Sequence, residues 1–241
     1  MNEDRAWTAA FEGGRVLAIV ADGMGGHQAG DVASRLAVDT FREALKELPA
    51  GLPLEEAKTL LRQAILEANE VVFELAAQND HYHNMGTTVV AALLTDGYGV
   101  IAHIGDSRAY KLRDGDLRQM TEDHTLVNEL AKTGQISAEE AANHPRRNVL
   151  TRALGTDAQV EVDVKGFAWK SGDMLLLCSD GLYSMVDNEE LLATLQAEAL
   201  DLEGKADRLI ELALEAGGDD NVTVLLIDNN DAGSESGGEE A

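Results

Sequence analysis

The sequence predicts an α+β fold: an αββα sandwich of two antiparallel sheets packed face to face, with a helix pair on each outer side. Two observations carry that reading. Helix-period apolar patterns come in adjacent pairs, at 28–48 with 54–78 and at 188–199 with 204–216. The β-patterned runs follow one another through short Asp-Gly or Gly-Gly turns, rather than alternating with helices as a parallel sheet requires. A chain of 241 residues with 44% hydrophobic content is long enough to bury such a core.

A first strand starts around Ala6-Trp7-Thr8, turns at Glu12-Gly13-Gly14 and returns over Arg15 to Ala21. This hairpin brings Asp4 back near Asp22, although Glu3 and Asp4 by composition alone read as a frayed acidic end. The returning strand runs straight into Ala21-Asp22-Gly23-Met24-Gly25-Gly26-His27. A carboxylate at the mouth of a buried strand, followed by glycines, can be held rigidly while the backbone comes close to a ligand. Val32, Leu36, Val38, Phe41 and Leu45 then recur at roughly helical spacing from Gln28 to Leu48. A longer helix runs from about Leu54 to Gln78, with Ala57, Leu60, Leu61, Ala64, Ile65, Ala68, Val71, Val72 and Leu75 on one broad face that reads as core.

After a polar loop, a strand opens at Gly86-Thr87-Thr88 and runs through Leu94 to an Asp96-Gly97 turn. The next strand, Tyr98 to Ile104, ends at Gly105-Asp106-Ser107-Arg108. Ala109 to Leu112 turns at Arg113-Asp114-Gly115-Asp116 into Leu117-Arg118-Gln119-Met120. From Glu122 to about Gly155 the chain is charged and weakly amphipathic, with helical pieces at Leu126–Lys132 and Ala138–Asn143, as suits a surface excursion beside an active site. Strands return at Gln159–Phe167 and Asp173–Ser179, the second delivering a further strand-end Asp180-Gly181. Helices follow at about Asn188–Ala199 and Gly204–Ala216. Gly217-Gly218-Asp219-Asp220-Asn221 leads into a last strand, Val222–Ile227. No linker divides the chain, so residues 1–228 are expected to form one domain and 229–241 a disordered acidic tail.

The formal net charge of -25 argues against nucleic acid or anionic lipid as a partner and favours a monomer. No run approaches the roughly 20 apolar residues of a membrane span, and no signal pattern opens the chain. The single cysteine, Cys178, sits among leucines as a small buried hydrophobe and fits a reducing cytoplasm.

Asp4, Asp22, Asp106, Asp180 and Asp220 share one description: each lies at a strand end or in a Gly-flanked loop. Oxygen ligands without accompanying cysteines or paired histidines suit Mg²⁺ or Mn²⁺ rather than zinc. Two such ions about 3.5–4 Å apart activate water for in-line displacement at phosphorus. On spacing alone, a two-metal phosphoesterase and a set of scattered turn aspartates both remain open.

The ordered set Asn2-Glu3-Asp4, Asp22-Gly23-Met24-Gly25-Gly26-His27, Gly86-Thr87-Thr88, Gly105-Asp106-Ser107-Arg108, Cys178-Ser179-Asp180-Gly181-Leu182 and Asp219-Asp220-Asn221-Val222-Thr223 resembles the PP2C (PPM) family of metal-dependent serine/threonine protein phosphatases, in a bacterial form. The resemblance spans residues 2 to about 228. It implies that Asp22 bridges two central Mn²⁺ or Mg²⁺ ions and that the Gly23 carbonyl is a ligand of one. Asp180 and Asp220 are implied at the other, Asp4 joins directly or through water, and Asp106 helps hold a third, weaker ion. It implies water as the nucleophile, a mobile flap at about 125–155, phosphorylated proteins as substrates, and a cognate Ser/Thr kinase whose action the enzyme reverses.

Two departures bear on activity. The family carries a phosphate-gripping arginine and the strand that opens the sandwich before Asn-Glu-Asp; here Met1 directly precedes Asn2, so that first strand is expected to be missing. Arg5 follows the motif and is not a replacement. The alternative function is therefore a catalytically weak regulator that binds phosphoproteins or a kinase. Second, Met24 stands where many eukaryotic members have a histidine proposed as general acid; His27 is either a substitute or a residue that packs or caps the next helix. His103, His124 and Arg108 read as structural, and Arg146 and Arg147 as substrate contacts or a solvated flap surface.

Overall fold

A computed structural model describes residues 2–25 and 28–229. The chain runs β1 (Asp4–Phe11), β2 (Arg15–Met24), α1 (Ala29–Ala44), α2 (Leu54–Gln78), β3 (Gly86–Thr87), β4 (Val89–Leu94), β5 (Gly97–Ile104), β6 (Arg108–Arg113) and β7 (Asp116–Gln119). It continues through α3 (Leu126–Lys132), α4 (Ala138–Ala142), β8 (Asp163–Trp169), β9 (Met174–Cys178), α5 (Asp180–Tyr183), α6 (Asn188–Leu195), α7 (Leu202–Glu215) and β10 (Val224–Asp228). One sheet has the order β1-β2-β4-β5-β8, with β3 also on β2; the other has the order β10-β9-β6-β7. Every pairing between these strands is antiparallel.

Strand periodicity explains why the central runs are apolar on both faces. In β2, Leu17, Ile19 and Ala21 pack toward α1 and α2, while Ala18 and Val20 face the opposite sheet. In β4 the same split separates Val89, Ala91 and Leu93 from Val90, Ala92 and Leu94. In β9, Leu175 and Leu177 join the layer between the sheets, and Leu176 and Cys178 turn outward to the α6–α7 side. The αββα sandwich is thus present, with three apolar layers.

Several element boundaries differ from the sequence expectation, each for a local reason. The strand expected over 86–94 is interrupted at Thr88, whose hydroxyl accepts the Asp22 amide at 3.2 Å in place of a backbone carbonyl. The strand expected from Gln159 begins at Asp163. β5 pairs with it only from Gly97↔Trp169 to His103↔Asp163, and beyond Ile104 the partner turns away at Gly105, φ 100°. The helix expected to reach Ala199 ends at Leu195, and α7 starts earlier than expected, at Leu202, because Asp201 caps it by accepting the Gly204 amide. The short helix α5, directly after Ser179, has too few residues to leave a periodic signal. Apart from Asn229, the expected acidic tail lies outside the described residues.

Candidate functional site

The site is a continuation of the core pattern. The β2 face that buries Ala18 and Val20 between the sheets next presents Asp22, and the strand register sets Asp4 directly opposite it. On β9 the inward series Leu175, Leu177 continues to Ser179, which donates a hydrogen bond to Asp4 Oδ2 at 2.7 Å. Thr88 and Ser107 meet at 2.7 Å on the same end, tying the strand after Asp22 to the loop that holds Asp106. Period-two geometry therefore converts an apolar interior into a polar end without changing the strands.

Backbone contacts fix these carboxyls. The Asp22 carbonyl accepts from the Thr88 amide and from Thr87 Oγ1, both at 2.8 Å. The Glu3 amide donates to Asn221 Oδ1 at 2.7 Å, and the Thr223 amide donates to Ser179 Oγ at 3.0 Å, which brings the Asp219-Asp220-Asn221 loop against the first strand. The Gly23 amide donates to the Glu3 carbonyl, and a Cβ at Gly23 would collide with the Gly30 carbonyl at the start of α1. Gly23→Ala is expected to cost about 1–3 kcal/mol through this overpacking. Thermal melts should show the loss, and an unchanged midpoint would refute the close approach.

The electrostatics are unfavourable for a set of ionised carboxyls. Asp22 lies within hydrogen-bonding reach of Asp4 and Asp180. Burial, followed by the charges of Asp4, Asp180 and Asp106, pushes its carboxyl up to about 10. Burial and then Asp180 and Asp123 push Asp106 up to about 7. Asp4 and Asp180 are raised as well, first by burial, with the Asp220 charge contributing to both. Asp4 Oδ1 and Asp180 Oδ1 are buried and accept no hydrogen bond from any described donor. Buried carboxylate oxygens without donors, crowded together, are the donor set that divalent cations satisfy. The residues present fit such ions.

The five predicted aspartates thus converge electrostatically on one end of the sandwich, and Asp220 is the exposed member. His27 and Gly26 lie outside the described residues. Thr88, Ser107 and Ser179 are site residues that the sequence reading does not name; their period-two phase with Val90, Ala109 and Leu177 is the available signal. Arg108 makes the structural ion pair expected of it, with both carboxylate oxygens of Asp123. Arg5 is paired with Asp31 and also donates to the Asp4 carbonyl.

His103, His124 and Asp163 also present potential ligand atoms within 4.8 Å of one another. His103 Nε2 and both ring nitrogens of His124 are already engaged. His103 Nε2 contacts the Glu122 backbone, with the carbonyl at 2.8 Å, and His124 Nδ1 accepts the Gly105 amide at 3.1 Å. Both imidazoles are neutral, held down to about 4 mainly by burial. The His124 proton then sits on Nε2, facing Asp163, and a metal there would forfeit the Gly105 bond. We read this trio as a brace between β5 and the root of the 122–155 excursion.

Asp106 and Asp123 border a cavity of about 280 Å³ whose other wall is formed by Ala131, Ala138, Ala141 and Arg147 of that excursion. A pocket with an alanine-lined wall and charged groups at Asp106, Arg108, Asp123 and Arg147 therefore adjoins the carboxylate cluster.

The sequence profile of the protein phosphatase 2C family matches residues 1–214. The chain is 48% identical to a serine/threonine phosphatase stp of Listeria welshimeri, over 95% of this chain and 90% of that protein. It is similar to the solved Mycobacterium tuberculosis serine/threonine phosphatase PstP/Ppp, with 40% identity and a TM-score of 0.84, covering 95% of this chain and 93% of the other. A solved PstP catalytic domain in complex with 2 manganese ions has 38% identity and a TM-score of 0.81, covering 96% of this chain and 93% of the other.

Proposed function

The chain belongs to the protein phosphatase 2C family and is a metal-dependent protein-serine/threonine phosphatase, and we propose that Mn²⁺ or Mg²⁺ held by its inward aspartates drives hydrolysis of phosphoserine and phosphothreonine in proteins. The observation that carries this reading is the buried carboxyl cluster with oxygens that lack donors at Asp4 and Asp180. Asp22 and the Gly23 carbonyl, with Asp180, Asp220 and Asp4, would hold two central ions; Asp106 would hold a third. Such ions, when bound, supply Lewis acidity toward a phosphoryl oxygen and acidify a nucleophilic water.

The chain's own groups do the positioning. Ser179 and the Thr87–Thr88 pair fix Asp4 and the Asp22 backbone, so the cluster's geometry exists before substrate arrives. The cavity beside Asp106 would take residues flanking the phosphorylated side chain, with Arg147 meeting acidic groups. His27 is the proposed donor of a proton to the leaving serine or threonine oxygen. We place the enzyme in the cytoplasm as a monomer acting against a Ser/Thr kinase; no helix among the described residues is long and apolar enough to cross a membrane.

The test is phosphate release from a phosphothreonine peptide with Mn²⁺ and with a chelator, beside direct measurement of Mn²⁺ binding. Release that needs Mn²⁺ supports the reading. Tight Mn²⁺ binding with no release from any phosphopeptide would replace the enzyme with a phosphoprotein-binding regulator.

A further inference from the structure

Arg108 and Tyr183 join the Asp106 loop to the Asp180 helix just beyond the end of the β6–β9 pairing, whose last pair is Arg108 opposite Cys178. The Arg108 guanidinium lies 3.5 Å from the Tyr183 ring centre, in cation–π contact. Its Nε and Nη2 bind both oxygens of Asp123 at 2.6–3.1 Å, and Nη1 donates to the Tyr110 hydroxyl at 2.8 Å. Tyr183 ends α5, the helix that begins with Asp180, and its hydroxyl donates to the Asp106 carbonyl at 2.9 Å. One side chain therefore spans the interval between the Asp106 loop and the Asp180 helix, and Arg108 holds that side chain in place against Asp123. A phenol carrying a cation on its face, with its hydroxyl used on a carbonyl, is fully committed. Nothing in this arrangement touches Asp22 or Asp4.

We propose that the Arg108–Tyr183 pair is a positioning device that sets Asp106 relative to Asp180, and so tunes cation binding at Asp106 without contributing a ligand. Groups that orient a ligand one bond removed from the ion alter metal affinity by about 10–100-fold when lost. The inference rests on the proposed reading of Asp106 as a cation ligand. It separates Tyr183 from a general packing role, because packing would affect the whole site and the melting temperature together.

The experiment is calorimetric titration of Mn²⁺ into the full chain and into the Asp106→Asn, Tyr183→Phe and Arg108→Met variants, with thermal melts of each in chelator. Tyr183→Phe keeps the ring and removes only the bond to the Asp106 carbonyl. The expected result is that Asp106→Asn abolishes the weakest binding event. Tyr183→Phe and Arg108→Met should each weaken that same event about tenfold and leave tighter events unchanged. If Arg108→Met fails to fold, because Asp123 loses its partner, Tyr183→Phe alone decides. Loss of the event in Asp106→Asn with Tyr183→Phe unchanged overturns the positioning role alone. Equal weakening of all events in Tyr183→Phe, with a lowered melting temperature, also overturns it. No change in Asp106→Asn overturns the reading of Asp106 and the positioning role with it.

Discussion

Asp22→Asn should lower Mn²⁺-dependent turnover of a phosphothreonine peptide on the order of 10³-fold while leaving the metal-free protein more stable. The loss follows from position: Asp22 lies in reach of both Asp4 and Asp180, so removing its charge disturbs the whole cluster. Lewis-acid stabilisation is worth several kcal/mol, and each 1.36 kcal/mol is tenfold in rate, which gives about that magnitude. The stability gain follows from the same crowding. An asparagine amide can donate to the neighbouring carboxyl oxygens that have no donor, and it is neutral without the proton that Asp22 must take up to fold free of metal. Each kcal/mol gained should raise the chelated protein's melting temperature by about 2–4 °C. Peptide assays and melts on the same variant check both halves. Retained activity would remove Asp22 from the mechanism, and a lowered metal-free melting temperature would mean that the carboxyls do not repel.

The second large effect is a dependence of stability on pH that changes form with metal. In the metal-free protein, Asp22 at about 10 and Asp106 at about 7 lie above the roughly 3.9 of an unfolded aspartate. The folded state then holds more protons than the unfolded one, so their contribution is full below about pH 4 and is lost as pH rises through 7 toward 10. His103 and His124 run the other way. Their folded values near 4 lie below the roughly 6.5 of an unfolded histidine, so stability falls as pH drops from 6.5 to 4. Between 4 and 6.5 the two groups offset; above 6.5 only the carboxyls act.

Bound divalent ions keep the aspartates ionised and remove their contribution to the slope. With Mn²⁺, stability should therefore rise from pH 4 to 6.5 and then level off. The histidines cancel in the Mn²⁺-minus-chelator difference in melting temperature, which should widen from about pH 4 upward by a few degrees per pH unit for each extra proton held, less steeply once Asp106 has titrated at about 7. Melts at pH 5.5, 7 and 8.5 measure it. A constant difference across that range would show that the cluster is not protonated when metal is removed.

Much of the fold was legible because its signals are local and repeated. The β1–β2 hairpin was announced by Glu12-Gly13-Gly14 between β-patterned runs, and it delivers Asp4 opposite Asp22. The α3 helix was read to its residues because Thr125 caps it and a glycine follows it. Where the reading failed, distant partners decided. The start of β8 is set by where β5 runs out at Gly105, and the break at Thr88 by a hydroxyl bonding across to Asp22. The aspartates could be named because carboxyls at strand ends have no core role to explain them. Thr88, Ser107, Ser179 and Tyr183 could not, since small hydroxyl residues and a tyrosine at the end of a short helix are commonplace in sequence. Only their meeting in space gives them meaning.

The phase of a single strand carries the chemistry. Residues of β2 point alternately to the helices and to the opposite sheet, and Asp22 is one beat after Val20 on the inner side. Deleting one residue between Val16 and Val20 would keep the turn, the composition and the apolar character of the strand. It would also rotate Asp22 into the helix layer and bring Gly23 to the place where the carboxyl belongs. The inner apolar residues of β2 therefore act as a ruler, and their count, as much as the aspartate itself, specifies the active site.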